Sequence, residues 1–129
     1  MFDTHVNLHA EAYAEDLDEV LARARDAGVT RMLAICVGTH PHHAKDFTDT
    51  KAEDLIAAAA DECVVAIGET GMDLHYGYSP QDQQEASFRT HIEAARETGL
   101  PLIVHTREAD DLTADILEDE TKRGAFPIL

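Results

Sequence analysis

Four places in this sequence carry side chains able to hold a divalent ion. They are His5 with Asn7 two residues on, His40, His42 and His43 in the run GTHPHH, Glu69 in GETG, and His105 in IVHTRE. Neutral imidazole and ionised carboxylate are both available at neutral pH, and a mixed nitrogen and oxygen donor set suits a metal that activates water or polarises a phosphate. Hydrolysis is the reaction class such a set serves. Taken alone, any one of these histidines reads more readily as a hydrogen-bonded loop residue than as a ligand. Their joint placement, each at the end of an apolar run, favours a common site.

The remaining polar and aromatic candidates lack that support. His91 follows Phe88 by three and reads as bordering a helix–sheet contact, and His9 and His75 read as solvated. Tyr76 and Tyr78 either stack on a base or pack the long loop that carries them. Cys36 and Cys63 are too few for a disulfide framework and read as small buried hydrophobes. No serine-nucleophile elbow or phosphate-binding glycine loop is present.

The elements that must position these residues follow from the hydrophobic pattern. Strands are expected over Phe2 to Leu8, Arg31 to Gly38, Val64 to Glu69 and Leu100 to His105, with a last one starting at Phe126 to Leu129. A helix over Glu15 to Ala27 places Leu17, Val20, Leu21 and Ala24 on one face and stops at Gly28. A second, over Thr50 to Asp61, has capping-box spacing at Thr50 and Glu53. A third opens with Ser79 as cap and Pro80 in its first turn, carries Phe88, Ile92 and Ala95 as its apolar stripe, and ends near Gly99. The fourth runs from Asp110 to Lys122, with acids first and bases last.

Strand and helix alternating in this way give an α/β fold with a parallel sheet, whose C-terminal strand ends converge on one face. Four units and the start of a fifth fall short of a closed eight-unit barrel, which takes about 250 residues. The 129 residues therefore read as one domain, either a small open α/β protein or an incomplete barrel.

Composition narrows the partners. Ten Lys and Arg against 26 Asp and Glu give a net charge of −16, so a basic footprint for nucleic acid is absent and a phosphate substrate needs a metal or a local cluster. The apolar runs are too short to span a bilayer, and the first residues do not form a signal peptide, which points to the cytoplasm. The first and last strands are expected at open sheet edges, predicting self-association.

Four blocks carry a resemblance to a known family: DTHVNLHA at 3–10, VGTHPHHA at 37–44, VVAIGETGMDLHYGYSPQDQQEASF at 64–88 and LPLIVHTREAD at 101–111. In that order they resemble the signature blocks of the TatD family of metal-dependent deoxyribonucleases. The resemblance implies a cytoplasmic TIM-barrel hydrolase that binds one or two divalent ions (Mg, Mn or Zn) and cleaves DNA or another phosphodiester. It implies His5, Glu69 and His105 as metal ligands, with Glu69 bridging at the catalytic centre. His40 and His42 would line the substrate site, and Arg107 would contact a phosphate or pair with a surface acid.

This sequence departs from the family pattern at three points. Asn7 stands where many relatives have a second histidine, and Cys36 runs straight into Val37 where the family has a helix and a strand start. The family's later histidine and active-site aspartate fall beyond Leu129. Two other readings therefore stand beside the nuclease: a metal-dependent hydrolase of an ester or amide, and a non-catalytic fragment.

Overall fold

A computed structural model of the chain describes residues 2–3, 6, 13–32 and 36–129. These form two compact units, one within 1–34 and one over 35–129. In the first unit, β1 (Phe2–Asp3) pairs in parallel with β2 (Arg31–Met32), Phe2 opposite Arg31. Between them in sequence lies α1 (Leu17–Asp26), whose half-buried positions are Leu17, Val20, Leu21 and Ala24, the stripe its spacing predicts.

The second unit is built on a three-stranded parallel sheet in the order β3 (Cys36–Val37), β4 (Ala66–Asp73), β5 (Leu102–Arg107). The 3₁₀ helix Pro41–Asp46 and α2 (Ala52–Ala58) connect β3 to β4. α3 (Gln81–Thr98) connects β4 to β5, and α4 (Asp110–Thr121) follows β5. Ile128 then bridges Leu102 in parallel, so the expected last strand is a single bridge within the chain. Of the expected strand Arg31 to Gly38, residues 31–32 pair with β1 and 36–37 with β4.

The core of this unit lies where α3 covers β4 and β5. Ile67, Met72, Phe88, Ile92 and Leu102 are fully buried there, each burial stabilising by about 1.5–3 kcal/mol. Gln84, Phe88, His91, Ile92 and Ala95 form the buried stripe of α3, and Gly99 ends the helix in the left-handed region at φ 70°. α4 is tied to α3 through a buried acid. Glu120 receives Arg89 at 2.7 Å and Arg96 at 3.1 Å, and these guanidinium groups hold its carboxyl below the usual range against the opposing effect of burial.

Local details depart from the sequence pattern where tertiary contacts compete. Ser79 does not cap α3; its hydroxyl donates to the His42 carbonyl (2.8 Å) and accepts the Lys45 N–H (3.1 Å), tying the 3₁₀ helix to the start of α3. The cap pair of α2 is shifted by one, with the Lys51 N–H donating to Asp54 at 2.9 Å. Cys63 is exposed rather than buried, and Cys36 is half-buried in β3. Among the described residues, no helix is long and apolar enough to cross a membrane.

Candidate metal centre

The site forms toward the C-terminal ends of β3, β4 and β5, and a bulge in β4 shapes it. Ile67 lies opposite Leu102 but Thr70 lies opposite Val104, so one extra residue enters β4 at Gly68–Glu69. Such bulges re-aim side chains beside functional sites. The glycines of GETG permit the close packing. A Cβ at Gly68 would meet the Ile103 carbonyl at 2.7 Å, and one at Gly71 would collide with the carbonyl of His105, its register partner. Beyond the bulge the two-residue period puts Glu69, Gly71 and Asp73 on one face, with no side chain in the middle.

His105 fills that gap. Its Nδ1 lies 3.1 Å from Glu69 Oε1 and its Nε2 lies 3.1 Å from Asp73 Oδ2. His40, from the loop after β3, brings Nε2 to 3.9 Å from Glu69 Oε1. His40, Glu69 and His105 thus each offer a donor atom, the three atoms lying within 4.8 Å of one another. Burial depresses His40 to about 4 against the opposing pull of Glu69, so the ring is neutral at pH 7. Its Nδ1 accepts the His42 N–H at 3.2 Å, which turns Nε2 toward Glu69.

Asp73 was not singled out by the sequence, and it organises the site. Its side chain is fully buried; Oδ2 receives His42 Nε2 at 2.7 Å as well as His105, and Oδ1 accepts the N–H groups of His75 (3.0 Å) and Tyr76 (3.1 Å). Burial alone would raise its pKa. The hydrogen bonds from His42, Tyr76 and His105 outweigh it and hold the carboxyl well below the usual range. Gln84 of α3 fixes the backbone there, accepting the Asp73 N–H at 2.7 Å and donating to the Asp73 carbonyl at 3.1 Å. The available signal was the period itself: Asp73 follows Glu69 by four along one strand.

The donor set fits a cation. A neutral imidazole has one N–H, and both nitrogens of His105 face carboxylates. Were Nε2–H donated to ionised Asp73 by a neutral ring, the Nδ1 lone pair would face Glu69 Oε1, and a divalent ion between them would take both as ligands. The carboxylate–histidine–metal arrangement that results holds a ligand ring in one tautomer.

The other sequence candidates are placed as follows. His42 stands edge-on to His40 at 4.3 Å between ring centroids, and His43 is an exposed residue 3.6 Å from Asp46. Arg107 lies over the Tyr76 ring, 4.6 Å from its centroid. His75 pairs with Glu108 at 2.7 Å, and His91 is buried inside the helix–sheet contact. His5, Asn7 and His9 lie outside the described residues.

The chain resembles known proteins over most of its length. It is 40% identical to the 3'-5' ssDNA/RNA exonuclease TatD of Pantoea sp. (strain At-9b), over 92% of this chain and 54% of the relative. It is 36% identical to the uncharacterized metal-dependent hydrolase YabD of Bacillus subtilis, over 93% and 56%. The chain spans about half the length of the curated relatives it matches. The first alignment runs over 141 positions although this chain has only 129 residues, so the relative carries residues within the matched span that have no counterpart here.

Among solved structures, the fold matches YJJV, a TatD homologue from Escherichia coli K12, with a TM-score of 0.81 at 24% identity, covering 92% of this chain and 55% of that one. It also matches a hydrolase TatD family protein from Entamoeba histolytica, with a TM-score of 0.79 at 20% identity over 97% and 56%. The fold is thus that of part of a (β/α) barrel, as its parallel strands and intervening helices indicate. The profile of the TatD related DNase family matches residues 32–129, and the chain belongs to that family.

Proposed function

We propose that this chain supplies the His40, Glu69 and His105 part of a cytoplasmic, divalent-metal-dependent hydrolase that cleaves phosphodiester bonds of nucleic acid. The observation that carries this reading is His105 held between Glu69 and Asp73, an arrangement a cation completes. Glu69 and His105 hold the ion, with His5 as the further ligand that the sequence pattern provides. One or two ions of Mg, Mn or Zn suit this mix of imidazole and carboxylate. A divalent ion bound there acidifies a water and offsets charge on the phosphate.

The protein's own groups do the positioning. Asp73 fixes the tautomers of His105 and His42 through Oδ2. His40 and His42 line the approach to Glu69, and Arg107, held on Tyr76, offers a fixed cation to a phosphate oxygen. In a chain of net charge −16 these few local cations and the metal are what make a phosphate welcome.

Degradation of single-stranded DNA with Mg²⁺ or Mn²⁺, compared between the parent and Glu69→Gln, tests the reading. Metal-dependent cleavage lost in the variant and with chelator supports it. Cleavage of an aryl ester without cleavage of an aryl phosphodiester would favour the carbonyl hydrolase, and no metal-dependent turnover of either would favour the non-catalytic fragment.

Self-association belongs to the same proposal. Ile128 and Leu129 are half-exposed where the chain's last segment pairs with β5, and apolar strand edges associate. A monodisperse monomer in light scattering would contradict it.

A further inference from the structure

Beside the metal donors stands an aromatic pair that the site described above does not use. Tyr76 and Tyr78 are stacked, with ring centroids 5.1 Å apart and planes 1° from parallel. Both remain open, at 45% and 54% exposure, so they do not serve to pack the loop into the core. His42 stands edge-on to both, 5.3 Å from Tyr76 and 4.8 Å from Tyr78, and also edge-on to His40 at 4.3 Å. A single imidazole therefore separates the metal donors from the tyrosines. The pair is anchored, because the Tyr76 N–H is bonded to Asp73 and the Tyr76 ring carries the Arg107 guanidinium.

Tyr78 also borders an open cleft of about 330 Å³, together with His42, His43, Lys45 and Asp46. Flat exposed rings, a guanidinium and a lysine beside a metal centre are what a single strand needs, since bases stack on aromatic faces whatever their identity and phosphates take the cations.

We propose that Tyr76 and Tyr78, with Arg107 and Lys45 beside them, form the platform on which a nucleobase of a single-stranded substrate stacks. The neighbouring phosphodiester then lies toward His42 and the metal donors. This subsite rests on the nucleic-acid reading above and deepens it: the strand is recognised by the faces of its bases, with little dependence on their hydrogen-bonding edges. Tyr76 is held by Asp73 and Arg107 and Tyr78 lies stacked against it, so the pair loses little freedom on binding, which favours it as a platform.

The test is binding, measured without turnover, of the full chain to an oligothymidine and to an abasic strand of equal length and charge, in Ca²⁺ and in chelator. The parent is expected to bind the base-bearing strand about tenfold more tightly. Tyr78→Ala should abolish that preference while leaving binding of the abasic strand unchanged, and Tyr78→Trp should keep or strengthen it. Equal binding of the two strands by the parent, no detectable binding of either, or an undiminished preference in Tyr78→Ala each overturns the proposal. Circular dichroism of the variants confirms that the fold is kept, and the Trp variant gives an independent reading if the Ala variant is damaged. Loss of metal binding in Glu69→Gln with the base preference intact would uphold the platform whatever happens to the catalytic reading.

Discussion

Gly71 and His105 are register partners across β4 and β5, and the absence of a Cβ at Gly71 is what lets the His105 strand approach closely enough for its ring to reach both Glu69 and Asp73. The residue is a glycine twice over, since its φ of 137° is one that L side chains rarely adopt.

Gly71→Ala should therefore damage both fold and site. A methyl there meets the His105 backbone, which cannot swing aside as a side-chain tip could. A loss of about 2–4 kcal/mol in urea unfolding is expected, the scale of strain plus overpacking. A variant of parental stability would mean that the strands are not as close as described.

Metal affinity should separate the cluster's members. Glu69→Ala removes the oxygen that His40 and His105 both face, and calorimetry should show a sharp fall in divalent-ion affinity. His40→Ala should cost less, because its Nε2 lies 3.9 Å from Glu69 Oε1 where His105 Nδ1 lies at 3.1 Å. Equal affinity in the parent and Glu69→Ala would remove the site.

Asp73→Asn tests the supporting carboxylate. An amide nitrogen in place of Oδ2 donates rather than accepts, so His42 and His105 must turn or change tautomer, and the latter puts the His105 proton on Nδ1, toward Glu69. A loss of about 10–100-fold in metal affinity is expected, typical when a ligand's orienting partner is removed. An unchanged affinity would show that the rings hold their orientation without it.

Glu69 and His105 were legible in the sequence because their types and their places at the ends of apolar runs both survive in a linear reading. Asp73 was not, because β4 was expected to end at Glu69, and only the bulge at Gly68–Glu69 shows that the strand continues four residues further. The pairing of the two ends of Arg31 to Gly38 was hidden for a related reason: a continuous apolar run does not tell which partner each end takes. Ser79 capped nothing because the His42 carbonyl and the Lys45 N–H, distant in sequence, compete for its hydroxyl. The half of the site built by side chains meeting across the sheet needed only local signals, and the half built by irregular backbone needed the structure.

His91 supplies the pH dependence. Its Nδ1–H donates to the Ser87 carbonyl at 2.7 Å, so Nε2 carries the lone pair that accepts the Thr39 N–H at 2.8 Å, beside His40. The ring is buried and neutral, and burial lowers its pKa below the ordinary 6.5, opposed by the Ser87 carbonyl. Protonation would set an N–H against the Thr39 N–H. The unfolded chain gains its proton near pH 6.5 and the folded chain resists, so the stabilisation is full above 6.5 and is lost as the pH falls below it. His40, also lowered by burial, acts in the same direction. Asp73 and Glu120, held low, withdraw their contributions only as the pH drops below their ordinary values of 3.8 and 4.5. Between about pH 4.5 and 6.5 the slope of stability against pH therefore belongs to histidines. In His91→Gln that slope should be shallower than in the parent, with lower stability at pH 7.5, where the well-fitted neutral ring is lost. Urea unfolding across this range decides it: parallel slopes for parent and variant would mean that His91 is not the buried neutral ring that holds the Thr39 backbone.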